Sequence, residues 1–375
     1  MHVSTLDGSH DPSSFLVQPL DRMYPLWAAT SFPPGFRSLR KVAIGVENLL
    51  PSIGDLQRPA PEDVEVLFLL PNVEYLYLGL TTIGGDDLQT RSYGEVPARG
   101  SNVQHLYFNW SECTAPEYMR LIGYAKALKS CTFSACECVM MTDWLAPGED
   151  VPDDPEAWDG ERGFAEVVEC LAEQHGSTLE TLTFSGGDLP GDIAINAGQF
   201  SARYTPSALT RFEKLRHVTI DIRDFYPTSE NAGYEERQID SGDEDFIVKI
   251  ARSMSEHLPA SIEVLQIVDN DERATTILEH DKVDLMLSHF IATQHCPKLK
   301  VLDLRGLCNN DERSRDAFKH VMSLGKQVDD LTIFTSVNDL PEQRRLLAGM
   351  PEAVTRRDLM TAPGVVRATG PPDDS

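Results

Sequence analysis

Read for apolar and polar positions, the chain repeats one short pattern: an apolar residue, two others, an apolar residue, one other, an apolar residue. It occurs nine times, as Leu39-Val42-Ile44, Val73-Leu76-Leu78, Val103-Leu106-Phe108, Leu128-Cys131-Phe133, Leu179-Leu182-Phe184, Leu215-Val218-Ile220, Ile262-Leu265-Ile267, Leu299-Leu302-Leu304 and Val328-Leu331-Ile333. Such spacing also arises by chance, so the residues between decide. Of the twenty-seven intervening positions only Ala43, Val264 and Val301 are aliphatic and three are tyrosine; the other twenty-one are polar or charged. The fourth and sixth positions therefore alternate with polar neighbours, as a strand with one buried face requires.

Between the triplets the period changes. Tyr118, Leu121, Ile122 and Ala125 fall at i, i+3, i+4, i+7, and so do Phe164-Val167-Val168-Leu171, Ile247-Ile250-Ala251-Met254 and Val283-Met286-Leu287-Phe290. Ser314, Ala317, Phe318 and Val321 repeat it more weakly. Each set is one apolar stripe on a helix. Gly176 and Gly325 stand where two of these helices should stop.

A strand–helix alternation of this kind predicts an α/β fold with parallel strands joined by crossovers. A closed barrel would bury both faces of each strand and would read as near-continuous apolar runs. These strands bury one face. The expectation is therefore an open solenoid, a horseshoe with a bare parallel β-sheet on the concave face and helices on the convex face.

The stretch "CPKLKVLDLRGL", with Leu299, Leu302 and Leu304, resembles a leucine-rich repeat, as do "LETLTFSGG", "NVEYLYLGL" and "NVQHLYFNW". With irregular repeat length and acidic insertions, the chain is similar to fungal leucine-rich-repeat proteins related to F-box proteins. The resemblance covers about residues 36–337. It departs from the family in period: eight steps from Leu39 to Val328 span 289 residues, about 36 each, against roughly 20–29. At the ninth repeat position only Asn270 and Cys136 match the usual Asn or Cys, so no regular asparagine ladder is expected. The predicted organisation is an N-terminal segment or cap over 1–35, about nine repeats over 36–337 with acidic insertions near 137–161 and 226–245, and a C-terminal cap with a disordered tail over 338–375.

Composition narrows the function. With 33 basic and 59 acidic residues the net charge is −26, which repels phosphate backbones and argues against nucleic-acid or anionic-membrane binding. There is no run of about 18 apolar residues and no signal-peptide pattern at the N-terminus. Seven scattered cysteines suit reduced thiols, so the chain is expected to be intracellular, cytoplasmic or nuclear.

Candidate chemistry is sparse. The sequence carries no Gly-x-Gly-x-x-Gly turn, phosphate-binding loop or Gly-x-Ser-x-Gly elbow, and no cofactor is expected. Cys131, Cys136 and Cys138 cluster, with His105 and Cys113 upstream, but zinc sites show two tight ligand pairs and this has one. These read as structural thiols. His295-Cys296 reads as a helix-end pair whose side chains diverge by about 100°, with Cys296 a buried repeat residue. The quartet Asn-Asp-Glu-Arg, at 270–273 and 310–313, reads as loop and helix-cap chemistry used twice. The runs 149–161 and 235–245 hold seven and six carboxylates without calcium-loop spacing, and read as solvated insertions.

The remaining feature is aromatic. Tyr75 and Tyr77 of the second repeat and His105 and Tyr107 of the third lie between triplet residues, with Trp110 following. Neighbouring strands are about 4.8 Å apart, so Tyr75 should flank His105 and Tyr77 should flank Tyr107 on the concave face. Such residues supply rigid contact area with a polar tip, and equally they pack across strands to stabilise a sheet. The expected function is a non-catalytic module that binds a protein partner there. The F-box resemblance implies substrate recognition in a ubiquitin ligase through a Skp1-type adaptor, although residues 1–35, with five prolines, show no F-box. A third class is a hydrolase with a diffuse acidic site, which a pocket gathering histidine with aspartate or glutamate would favour.

Overall fold

A computed structural model of the chain describes residues 2–3, 38–44, 64–79, 82–83, 98–109, 112–113, 115–134, 137–138, 163–185, 206–221, 244–268, 280–307, 318–325, 328, 331–335 and 365–366. The chain divides into two compact units, residues 1–167 with 353–375, and residues 168–352. Every strand pairing among the described residues is parallel.

The first unit is built on the strands β1 (His2–Val3), β2 (Lys41–Ile44), β3 (Tyr75–Gly79), β5 (His105–Asn109) and β7 (Ser130–Ser134). The pairings β2–β3, β3–β5 and β5–β7 run in register, so that Val42, Leu76, Leu106 and Cys131 form one row. The strand β14 (Val365–Val366) pairs with β1, which touches β2 through Val3 and Val42. Beyond the main strands, β4 (Thr82–Ile83), β6 (Glu112–Cys113) and β8 (Glu137–Cys138) form a second small parallel ladder.

The triplets are the core. In this unit every described triplet side chain is buried, from Leu39 and Val42 through Leu128, Cys131 and Phe133. Helix α1 (Ala115–Tyr124) lays its predicted stripe on this face. Tyr118 meets Phe108 and Phe133 edge-on at 5.1 and 5.5 Å, while the two phenylalanines stack at 5.2 Å. Ahead of β3 the connection is instead a 3-10 turn, Val66–Leu69, with Leu67 and Phe68 buried.

The second unit orders β9 (Thr181–Ser185), β10 (His217–Asp221), β11 (Val264–Val268), β12 (Val301–Gly306) and β13 (Thr332–Phe334) side by side. Its helices are α3 (Glu244–His257), α4 (His280–Ala292) and α5 (Lys319–Gly325), together with α2 (Gly163–His175) from Val168 onward, and a 3-10 segment Pro206–Arg211 lies ahead of β10. The described stripe residues are buried, from Val167 to Val321. Gly176 follows α2 as expected. A β-carbon there would lie 2.5 Å from the Ala172 carbonyl oxygen and 2.8 Å from that of Arg211. The site is closed by backbone on two sides, and its N–H donates to Ala172 O.

Some expectations change. The helix ahead of β12 ends at Ala292, so His295 and Cys296 lie beyond it. Both tie to the preceding repeat: His295 Nε2 lies 3.1 Å from the Leu258 carbonyl and the Cys296 thiol 3.7 Å from that of Pro259. Burial pushes the Cys296 pKa up to about 12, which leaves it a thiol. In the last repeat Val328, Leu331 and Ile333 are half-buried and Phe334 is buried instead. The Asn-Asp-Glu-Arg quartets, the acidic runs 149–161 and 235–243, Cys136 and Trp110 lie outside the described residues.

Candidate binding surface

Strand alternation sends the third and fifth positions of each pattern, which flank the buried fourth, to the sheet face opposite the core. In the first unit the register puts Lys41, Tyr75, His105 and Ser130 in one row, and Ala43, Tyr77, Tyr107 and Thr132 in the next. Tyr75 stacks on His105 with centroids 4.2 Å apart and planes 8° from parallel. Lys41 Nζ lies 4.5 Å from the Tyr75 centroid, within cation–π range. His105 Nδ1 and Ser130 Oγ share a hydrogen bond of 2.8 Å. In the second row Tyr77 and Tyr107 stack at 4.7 Å. One pleat earlier, Arg40 pairs with Glu74.

The bare face expected from the sequence is not what the second row shows. Tyr77 and Tyr107 are each only 5% exposed and form a small apolar cluster with Ala43 and Tyr75 packed on it. Ring-on-ring stacking at the strand spacing hides the broad faces of these side chains, so their area goes into the sheet. Accessible surface remains on the first row: Lys41, Tyr75 and His105 are half-buried, as are Glu74 and Gln104. Ser130, missed by the sequence reading, lies one strand beyond His105 in the same row, and extending the row arithmetic to β7 places it there. It is 1% exposed, so the Ser130–His105 contact orients the ring and offers no reachable nucleophile.

The electrostatics of the row follow from its surroundings. Burial, then the charges of Lys129 and Lys41, lower the His105 pKa from 6.5 to about 4, so the ring is neutral at neutral pH. His105 and Cys131 face opposite sides of the sheet, because His105 is in register with Ser130 and Cys131 with Leu106. The histidine and that thiol cannot share a metal. Among the described residues no group of three or more His, Cys, Asp or Glu is placed to hold a metal ion, and no helix is long and apolar enough to cross a membrane.

The corresponding face of the second unit is more polar. Just ahead of β10, β11 and β12, Arg216 Nε donates to Glu263 Oε1 at 2.6 Å and Lys300 Nζ to Glu263 Oε2 at 3.1 Å, a row of charge along the strand starts. The hydrogen bond from Arg216 holds the Glu263 carboxyl below its ordinary range, against an opposing effect of burial. Thr219 Oγ1 donates to Gln266 Oε1 at 3.0 Å. His217 and Asp303 are both buried on this face, but β11 stands between their strands and the register offsets them by two residues. Their backbones are thus about 12 Å apart by ladder spacing, and His217 Nδ1 makes no hydrogen bond, so Asp303 does not orient the ring as an acid orients a base.

No protein-family model matches the chain, and no curated protein matches it.

Proposed function

We propose that the chain is a leucine-rich-repeat array serving as a non-catalytic protein-binding module, with the Lys41–Tyr75–His105 row as its contact surface. The carrying observation is the stacked pair Tyr75–His105, held by Lys41 on one side and Ser130 on the other while staying half-buried. A rigid aromatic pair loses little side-chain entropy on docking. Its neutral ring and adjacent lysine ammonium offer hydrogen bonding and charge within one short row. Tyr77 and Tyr107, one row along the same face, support the pair by packing against Tyr75.

The test is affinity capture from the native cell extract with three baits: the wild type, Tyr75→Ala/His105→Ala, and Lys319→Ala on α5 as a control. The expected result is a set of proteins retained by the wild type and the control and depleted at least about tenfold by the double variant, the size of a lost hot spot. Identical partner sets for all three baits would contradict the proposal.

A further inference from the structure

The sheet face of the second unit contains polar atoms that its own packing does not explain. Thr181 is fully buried and His217 is 8% exposed, and they are register partners on β9 and β10. Thr183 lies two residues along β9 on the same face. The Thr181 and Thr183 hydroxyls and His217 Nδ1 are buried and make no hydrogen bond. Ladder geometry puts Thr181 about 4.8 Å from His217 and about 6.6 Å from Thr183. Buried polar groups are ordinarily satisfied, and leaving one unmet is costly. Three within one patch point to a guest.

The neighbours define that guest. Val264 is the register partner of His217, and Val301 that of Val264. Both are buried in one apolar cluster with Phe334. A few placed polar groups beside an apolar wall is the usual make-up of a small-molecule site. The cations nearest along the strands, Arg216 and Lys300, are engaged by Glu263. The Asp303 carboxylate lies fully buried on the same face, and its charge reaches His217. An anion is therefore disfavoured. Because the orphan atoms are buried within the chain itself, a macromolecule cannot reach them, and a ligand that meets them must be small.

We propose that this face of the second unit encloses a binding site for a small neutral molecule with hydrogen-bonding groups on an apolar body, held by Thr181, Thr183 and His217 against Val264 and Val301. The site is separate from the Tyr75–His105 row, and either assignment can fail alone.

The experiment titrates the full chain, with valine methyls labelled for NMR, with benzamide, benzyl alcohol, cyclohexanol and the anion benzoate. At least one neutral probe should shift the Val264 and Val301 resonances saturably, and benzoate should not. Thr181→Val keeps the side-chain shape, so it should fold. It should weaken the responding probe about tenfold and raise the Tm of the free protein. No saturable shift with any neutral probe would overturn the proposal, as would equal shifts with benzoate or unchanged affinity in Thr181→Val. A lower Tm in Thr181→Val with silent probes would mean ordered water only, and would equally overturn it.

Discussion

The carboxylate of Asp284 sits within α4 yet caps another helix. It is 2% exposed, and it accepts from the N–H groups of His320 and Val321 at 2.9 and 2.8 Å, and from His320 Nδ1 at 2.8 Å. Free N–H groups in the first turn of α5 are thus satisfied from the preceding repeat. The exposed imidazole adds little, so the two backbone bonds carry the effect. Asp284→Ala should cost about 2–4 kcal/mol, seen as a lower urea midpoint at unchanged slope; an unchanged midpoint would refute the cap. No sequence signal announced this residue, because a cap read from sequence is sought next to its own helix. His217 is a second case. Burial lowers its pKa from 6.5 to about 4, partly offset by Asp303. The unfolded chain then binds a proton that the folded chain refuses. Stability is full above about pH 6.5 and falls with pH, by about 3 kcal/mol on reaching pH 4. Acid titration followed by circular dichroism should show a shallower loss in His217→Gln over that window. An identical curve would mean that the ring is not buried uncharged.

At the scale of the element, the apolar triplets were readable because strand alternation has a fixed period and the intervening residues were nearly all polar. The helical stripes were readable for the same reason, and their described members are buried throughout. The connections ahead of β3 and β10 had no stripe, and there the chain forms 3-10 segments. Exposure on the opposite face could not be read, since period two says which side a residue takes and not what its neighbours cover. Tyr77, Tyr107, Val264 and Val301 all lie on that side and are all buried. The ends of the elements were partly legible. Gly176 marked the end of α2, but its reason is tertiary: the Arg211 carbonyl from the next repeat closes the space a side chain would need. Gly176→Ala should therefore destabilise by more than about 1 kcal/mol. Thermal unfolding measures this, and a stabilised Ala variant would contradict the close approach.

At the scale of the molecule, repetition gives each unit its ladder, and the ladder builds both candidate surfaces. Residues far apart in sequence meet because each repeat delivers its strand one spacing along: Arg216 meets Glu263 across 47 positions, and Glu263 meets Lys300 across 37. The charge of −26 does not alter this core, which rests on uncharged triplets, but it sets the aromatic row with its lysines against an acidic background. Irregular repeats left register as the weakest inference from sequence, because one residue of slip would move every triplet to the other face. The most direct test is a crystallographic determination of strand register. The expected result is parallel pairing with Tyr75 beside His105 and Thr219 beside Gln266. Antiparallel pairing, or a shift of one residue in either ladder, would contradict it.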